Sequence, residues 1–163
     1  MNLDQYGKMS DEDKLILKNE LLKASRRFVS ERIGGMETAM KAAQESGNDE
    51  TKSTTGDKHE TGKAMMQLEQ EKIGIQLHEL QKMNKVLDGI PLELSKSKIK
   101  PGNVIVTDNG NFYISVAAGK ISVDDKIYFA ISAVSPLGIL FLKSAAGQTV
   151  NVNEKLYKVI DSF

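Results

Sequence analysis

Gly56-Asp57-Lys58-His59-Glu60-Thr61 is a polar turn standing between two long helical patterns, and the fold follows from what flanks it. Upstream, Leu15, Leu22, Val29, Met36 and Ala43 recur every seven residues, and Ile33 and Met40 reinforce the stripe. A seven-residue apolar repeat is the seam of a helix packed along a partner. Ser10-Asp11-Glu12-Asp13 has the composition of a capping box, so a helix is predicted over about 11–45. Gly34-Gly35 lies inside it, each glycine costing about 1 kcal/mol relative to alanine, and marks close packing or a bend. Ser46 to Thr55 is small, polar and aperiodic, hence a loop. Downstream a second row, Met66, Ile73, Leu80 and Leu87 with Leu77, predicts a helix over about 58–88. Two such helices joined by one loop bury their stripes most simply as an antiparallel hairpin with arms of roughly 45 to 50 Å. Residues 1–9 read as a loose lead-in.

Past this hairpin, at about 10–90, the pattern changes. Asp88-Gly89-Ile90-Pro91 stops the helix, and the Lys/Ser segment to Pro101-Gly102 reads as a linker. Asn103 to Thr107 and Phe112 to Val116 flank Asp108-Asn109-Gly110-Asn111, a β-hairpin signal. Ile127 to Ala133, Thr149 to Val152 and Leu156 to Ile160 are further strands. Ser135-Pro136-Leu137-Gly138 opens a short helix through about Leu142, with Ser135 as N-cap and Pro136 at the first helical position. The expectation is an α+β chain: an antiparallel helical hairpin (a coiled coil), then a small antiparallel sheet domain over 98–163 crossed by one short helix.

Length and composition narrow the function classes. The 163 residues, 40% hydrophobic, suffice for one domain or two small ones. With no cysteine there is no disulfide, thiolate metal site or cysteine nucleophile. No segment has the pattern of a signal peptide or the length of a membrane span, which fits a cytoplasmic protein. The net charge of zero conceals asymmetry: residues 1–95 carry 14 Lys/Arg against 17 Asp/Glu, and residues 96–163 carry 8 against 5. Glu45 to Glu60 alone holds five acids and two lysines, so the acidity gathers at the hairpin tip. Binding to nucleic-acid phosphate is driven by Lys and Arg, so such a tip is not expected to bind free DNA; it suits a cation or a basic channel.

At the tip, Asp57 and Glu60 are three residues apart where a helix begins. That spacing serves a capping box, or it offers two hard oxygen ligands to a divalent cation. His59 and His78 are the two histidines; a metal or general-base role is open to His59, but it reads first as polar surface, and His78 as a packed or solvated residue of the second helix. Arg26, Arg27 and Arg32 form a solvated face or a contact to RNA or a partner. Met36, Met40, Met65, Met66 and Met83 are assigned to seam packing. No Ser/His/Asp constellation and no phosphate-binding glycine loop is present.

The tip, as Gly56-Asp57-Lys58-His59-Glu60-Thr61, resembles the Gly-Asp-x-Ser-Glu-Asn motif at the turn of the coiled coil in Gre-type bacterial transcript-cleavage factors. The second half is similar too: Ser135-Pro136-Leu137-Gly138, the apolar Ile139-Leu140-Phe141-Leu142, then Gly147-Gln148 and Val150 match the order of that family's FKBP-like C-terminal domain. The resemblance covers nearly the whole chain from about residue 10. Departures are Lys58, His59 and Thr61 for Leu, Ser and Asn, a longer loop before the motif, Lys143-Ser144-Ala145 for Gly-Lys-Lys, and Gly147-Gln148 for Gly-Asp. The resemblance implies a factor that docks at the rim of the RNA polymerase secondary channel and stimulates cleavage of backtracked RNA. Asp57 and Glu60 would then hold magnesium shared with the polymerase and orient the attacking water, so that the chain completes another enzyme's site and is not itself an enzyme. Two other readings stand beside it: a channel-occupying regulator without cleavage, and a coiled-coil or peptide-binding adaptor unrelated to transcription.

Overall fold

The computed structural model describes the backbone of residues 4–50, 56–95 and 98–163, and the side chains of these except 4, 5, 47–50 and 57–59. In chain order the elements are α1 (Asp4–Gly7), α2 (Asp11–Glu50), α3 (Gly56–Asp88), β1 (Val104–Thr107), β2 (Gly110–Ser115), β3 (Gly119–Val123), β4 (Lys126–Ser132), α4 (Pro136–Leu142), β5 (Thr149–Val152) and β6 (Lys155–Ser162). Two long helices followed by a mixed sheet and one short helix make an α+β arrangement.

The capping box at Ser10 is reciprocal: Asp13 N donates to Ser10 Oγ at 3.1 Å and Ser10 N to Asp13 Oδ2 at 3.3 Å. From there α2 runs unbroken for 40 residues, five beyond the expected end at 45. Adding a residue to an existing helix costs far less than starting one, and the Lys41–Glu45 pair at 3.9 Å supports the extended turn. The heptad stripes are graded in depth. Leu22, Val29, Ile73 and Leu87 are buried, while Met36, Met40, Ala43, Met66 and Leu80 are half-buried. Met65 departs from its assigned seam role, since it is 64% exposed.

Gly34 and Gly35 do not interrupt the helix, and they mark no close packing: a Cβ built on either glycine, or on Gly74 of α3, meets nothing within 4 Å. Alanine at all three positions is therefore expected to raise stability by about 0.5–1 kcal/mol per site. A melting temperature unchanged or lowered in the triple variant would contradict this.

The chain divides into two compact units, Met1–Phe28 with Val86–Phe163, and Val29–Lys85. In the first, six strands lie in the order β3-β4-β2-β1-β6-β5. The β1–β2 hairpin forms on Asp108-Asn109 as expected, with Thr107 opposite Gly110. The antiparallel expectation fails at one pairing, β2 with β4, which is parallel: the chain leaves β2, lays β3 at the edge, and returns as β4 into the gap between them. One sheet face packs on α4 through Ile105, Phe112, Ile114, Phe141, Val150 and Val159. Phe112 centres this core, with its ring 5.1 Å from that of Phe141 and 5.5 Å from that of Tyr157.

The N-terminal segment is no loose lead-in. Tyr6 of α1 is buried; its hydroxyl lies 3.0 Å from that of Tyr128 on β4 and accepts a 2.9 Å bond from Asn111 Nδ2 on β2. Burying a tyrosine supplies large apolar area while its hydroxyl stays bonded, which is enough to order one helical turn. Within the same unit Lys14 pairs with Asp161 at 3.0 Å and Arg26 with Asp88 at 3.4 Å. The Arg26–Asp88 contact requires the chain to turn back on itself between α2 and α3.

Candidate functional site

α3 begins at Gly56, so the stretch from Gly56 to Thr61 is helical rather than a turn, and Asp57 stands inside the first turn instead of at the N-cap. The reason is electrostatic as well as cooperative: unsatisfied N–H groups at a helix start favour acids in the first turn. Residues three apart on a helix share a face, with Cβ atoms about 5–6 Å apart. Asp57 and Glu60 are thus carried on one side of α3, a spacing at which two carboxylates can hold one cation.

Glu60 is exposed and makes no ion pair among the described residues. The side chains of Asp57, Lys58 and His59, and of Asp49 and Glu50, lie outside the described residues. Glu45 is engaged by Lys41. Among the described residues no three of His, Asp and Glu gather as a metal-holding group. His78 lies exposed on α3 beside Glu79, whose carboxyl is held below its usual range by the Lys82 ammonium that donates to it at 2.7 Å. Of the three arginines, Arg26 is committed to Asp88 and to the Leu87 carbonyl oxygen, and Arg32 is also engaged.

Two polar clusters in the first unit were not anticipated. One is the Tyr6–Asn111–Tyr128 network; burial, then the bond to Tyr6, push the Tyr128 phenol well above its ordinary range. The other centres on Lys18, which is 2% exposed and donates to the Glu93 carbonyl oxygen. Glu93 in turn receives Lys100, and its carboxyl is held below the usual range by that bond. Burial, then repulsion from Lys100, push the Lys18 ammonium down to about 8, with Glu93 pulling the other way. A signal for Lys18 does exist: it stands three residues after Leu15 and four before Leu22, a seam position filled by a charge.

Among the described residues no helix is long and apolar enough to cross a membrane. Comparison with protein-family models, with curated proteins and with solved structures finds no match.

Proposed function

We propose that the chain is a Gre-like transcription elongation factor, which enters the secondary channel of RNA polymerase and stimulates cleavage of backtracked RNA. The observation that supports this most is the placement of Asp57 and Glu60 on one face of the first turn of α3, with Glu60 exposed and unpaired among the described residues. Magnesium prefers hard oxygen ligands and keeps several waters, so one or two carboxylates beside a substrate phosphate suffice to bind it. The ion would lower the pKa of the attacking water and steady the phosphoryl oxygens. Asp57 and Glu60 contribute charge and orientation, and the polymerase contributes the rest. By itself the chain is inert. Its FKBP-like half, with Ser135-Pro136-Leu137-Gly138 leading into α4, supplies the dock, and the setting is cytoplasmic, beside the polymerase.

The test is cleavage of a stalled elongation complex by its cognate polymerase, with wild type, Asp57→Asn and Glu60→Gln compared. Each variant is expected to lose at least about 10- to 100-fold in stimulated rate while still binding. Equal cleavage by all three would sink the mechanism. Inhibited nucleotide addition with no shortened RNA would replace it with channel occupancy alone, and failure to bind polymerase would favour the adaptor reading.

A further inference from the structure

Asn109-Gly110 is the sole Asn-Gly step in the sequence, and Asn109 is exposed in the turn between β1 and β2. Such a step is reactive within itself. The backbone nitrogen that follows an asparagine stands close to that residue's side-chain amide, and glycine, which has no Cβ, hinders their approach least. In the folded chain the same turn is tied to β6 by three hydrogen bonds. Asn109 Nδ2 donates to the Leu156 carbonyl oxygen at 2.8 Å, Lys158 N to Asp108 Oδ1 at 2.9 Å, and Asp108 N to the Lys158 carbonyl oxygen at 3.3 Å. The contact lies at the surface, where water reaches it: Asp108 and Asn109 are exposed and Leu156 is 55% exposed.

We propose that Asn109 is a site of spontaneous deamidation, and that its amide is a latch between the β1–β2 turn and β6 which the reaction removes. The Gly110 nitrogen forms a bond to Asn109 Cγ as it loses its proton, the Cγ–Nδ2 bond breaks, and the Nδ2 group leaves with that proton as ammonia. A cyclic imide remains. Water then opens the imide at Cγ, giving aspartate, or at the backbone carbonyl carbon, giving isoaspartate. One water is consumed, one ammonia is released, and nothing is oxidised or reduced.

Both products undo the latch. In aspartate a carboxylate oxygen faces the Leu156 carbonyl oxygen where a donor stood, so two acceptors meet, and a second negative charge stands next to Asp108. In isoaspartate the backbone runs through the former side chain and gains a methylene, so Thr107 and Gly110 no longer meet squarely across the hairpin. The latch also governs the rate. While Nδ2 is held by the Leu156 oxygen, the side chain is not free to swing Cγ onto the Gly110 nitrogen, and the reaction waits for the turn to open locally. None of this depends on the proposed role in transcription, since the turn and β6 lie in one unit and Asp57 and Glu60 in the other.

The test is peptide mapping by mass spectrometry of the full chain held at mildly alkaline pH, folded and in urea. Asn109 is expected to convert ahead of every other asparagine, and at least about tenfold faster in urea than in the folded chain. Asp108→Ala removes the acceptor for Lys158 N and so loosens the turn without touching the reacting atoms. It is expected to speed the reaction of the folded chain by roughly fivefold, the weight of one hydrogen bond, and to leave the rate in urea unchanged. Asn109→Asp, which carries the charge of one product, should lose roughly fivefold in the folding equilibrium constant by urea titration. The proposal is overturned if Asn109 stays intact while other asparagines convert, if folded and unfolded chains react at one rate, if folded Asp108→Ala reacts no faster than wild type, or if Asn109→Asp is as stable as wild type.

Discussion

Gly138→Ala is expected to destabilise the first unit by about 3 kcal/mol, the upper end of what overpacking costs. A Cβ at Gly138 would lie 2.1 Å from the Ser132 carbonyl oxygen and 2.9 Å from Ser135 Oγ. The nearest obstacle is backbone, so no rotamer change relieves it. Moving α4 away would break what starts the helix: Gly138 N donates to Ser135 Oγ at 3.1 Å, and Ser135 Oγ donates to the Ser132 oxygen at 2.7 Å. It would also draw Phe141 out of its contact with Phe112. Urea titration should therefore show the midpoint falling with little change in slope. A loss under about 1 kcal/mol would mean that α4 can slide over the sheet at little cost.

Lys18→Met is expected to stabilise the protein at pH 7 by about 1–2 kcal/mol. A buried ammonium with one carbonyl partner is a charge largely deprived of water, and replacing such a group with an apolar one of similar volume is commonly favourable. The bond to the Glu93 oxygen is lost, which trims the gain. The pH dependence carries the sign. Folding lowers the Lys18 pKa from 10.5 to about 8. Below about 8 both states hold the proton; between about 8 and 10.5 the unfolded chain binds more protons, so wild-type stability rises with pH there. At about 1.4 kcal/mol per pKa unit, the whole rise is at most roughly 3 to 4 kcal/mol. Tyr113 and Tyr128 act oppositely in more alkaline solution, because burial raises their pKa values and the unfolded chain loses those protons first. The measurement is denaturant unfolding at pH 7 and about 9.5: wild type should gain stability and Lys18→Met should not. A flat wild-type profile would contradict the buried-charge account.

Elements that carry their own punctuation were legible in the sequence. Ser135-Pro136 marks α4 to the residue, and Asp108-Asn109-Gly110 marks the first hairpin, because caps and tight turns are decided within four residues. β3 was missed because only Ile121 of its five residues is buried and its turn lacks the glycine such turns favour. Asp124 and Asp125 adopt φ of 48° and 58° there, and Asn153 and Glu154 do likewise between β5 and β6. Tyr6 was missed for a different reason: its partners Asn111 and Tyr128 stand 105 and 122 residues away. For the candidate site, the spacing of Asp57 and Glu60 and a helix starting beside them were legible, and only the inclusion of Gly56 and Asp57 in that helix was not, since the polar run around Gly56 lacks the apolar period that announces a helix.

The division of the chain also has a kinetic meaning. The unit that holds the sheet is assembled from two stretches separated by everything between Phe28 and Val86. Bringing those ends together across a disordered intervening chain costs about 3 to 4 kcal/mol of loop-closure entropy. If α2 and α3 pair first, that cost is met locally by helix contacts. Leu17, Leu21 and Leu22, all buried in the finished fold, leave the ribosome long before β6 does. Substitutions in Val29–Lys85 can therefore slow the folding of the sheet that belongs to the other unit.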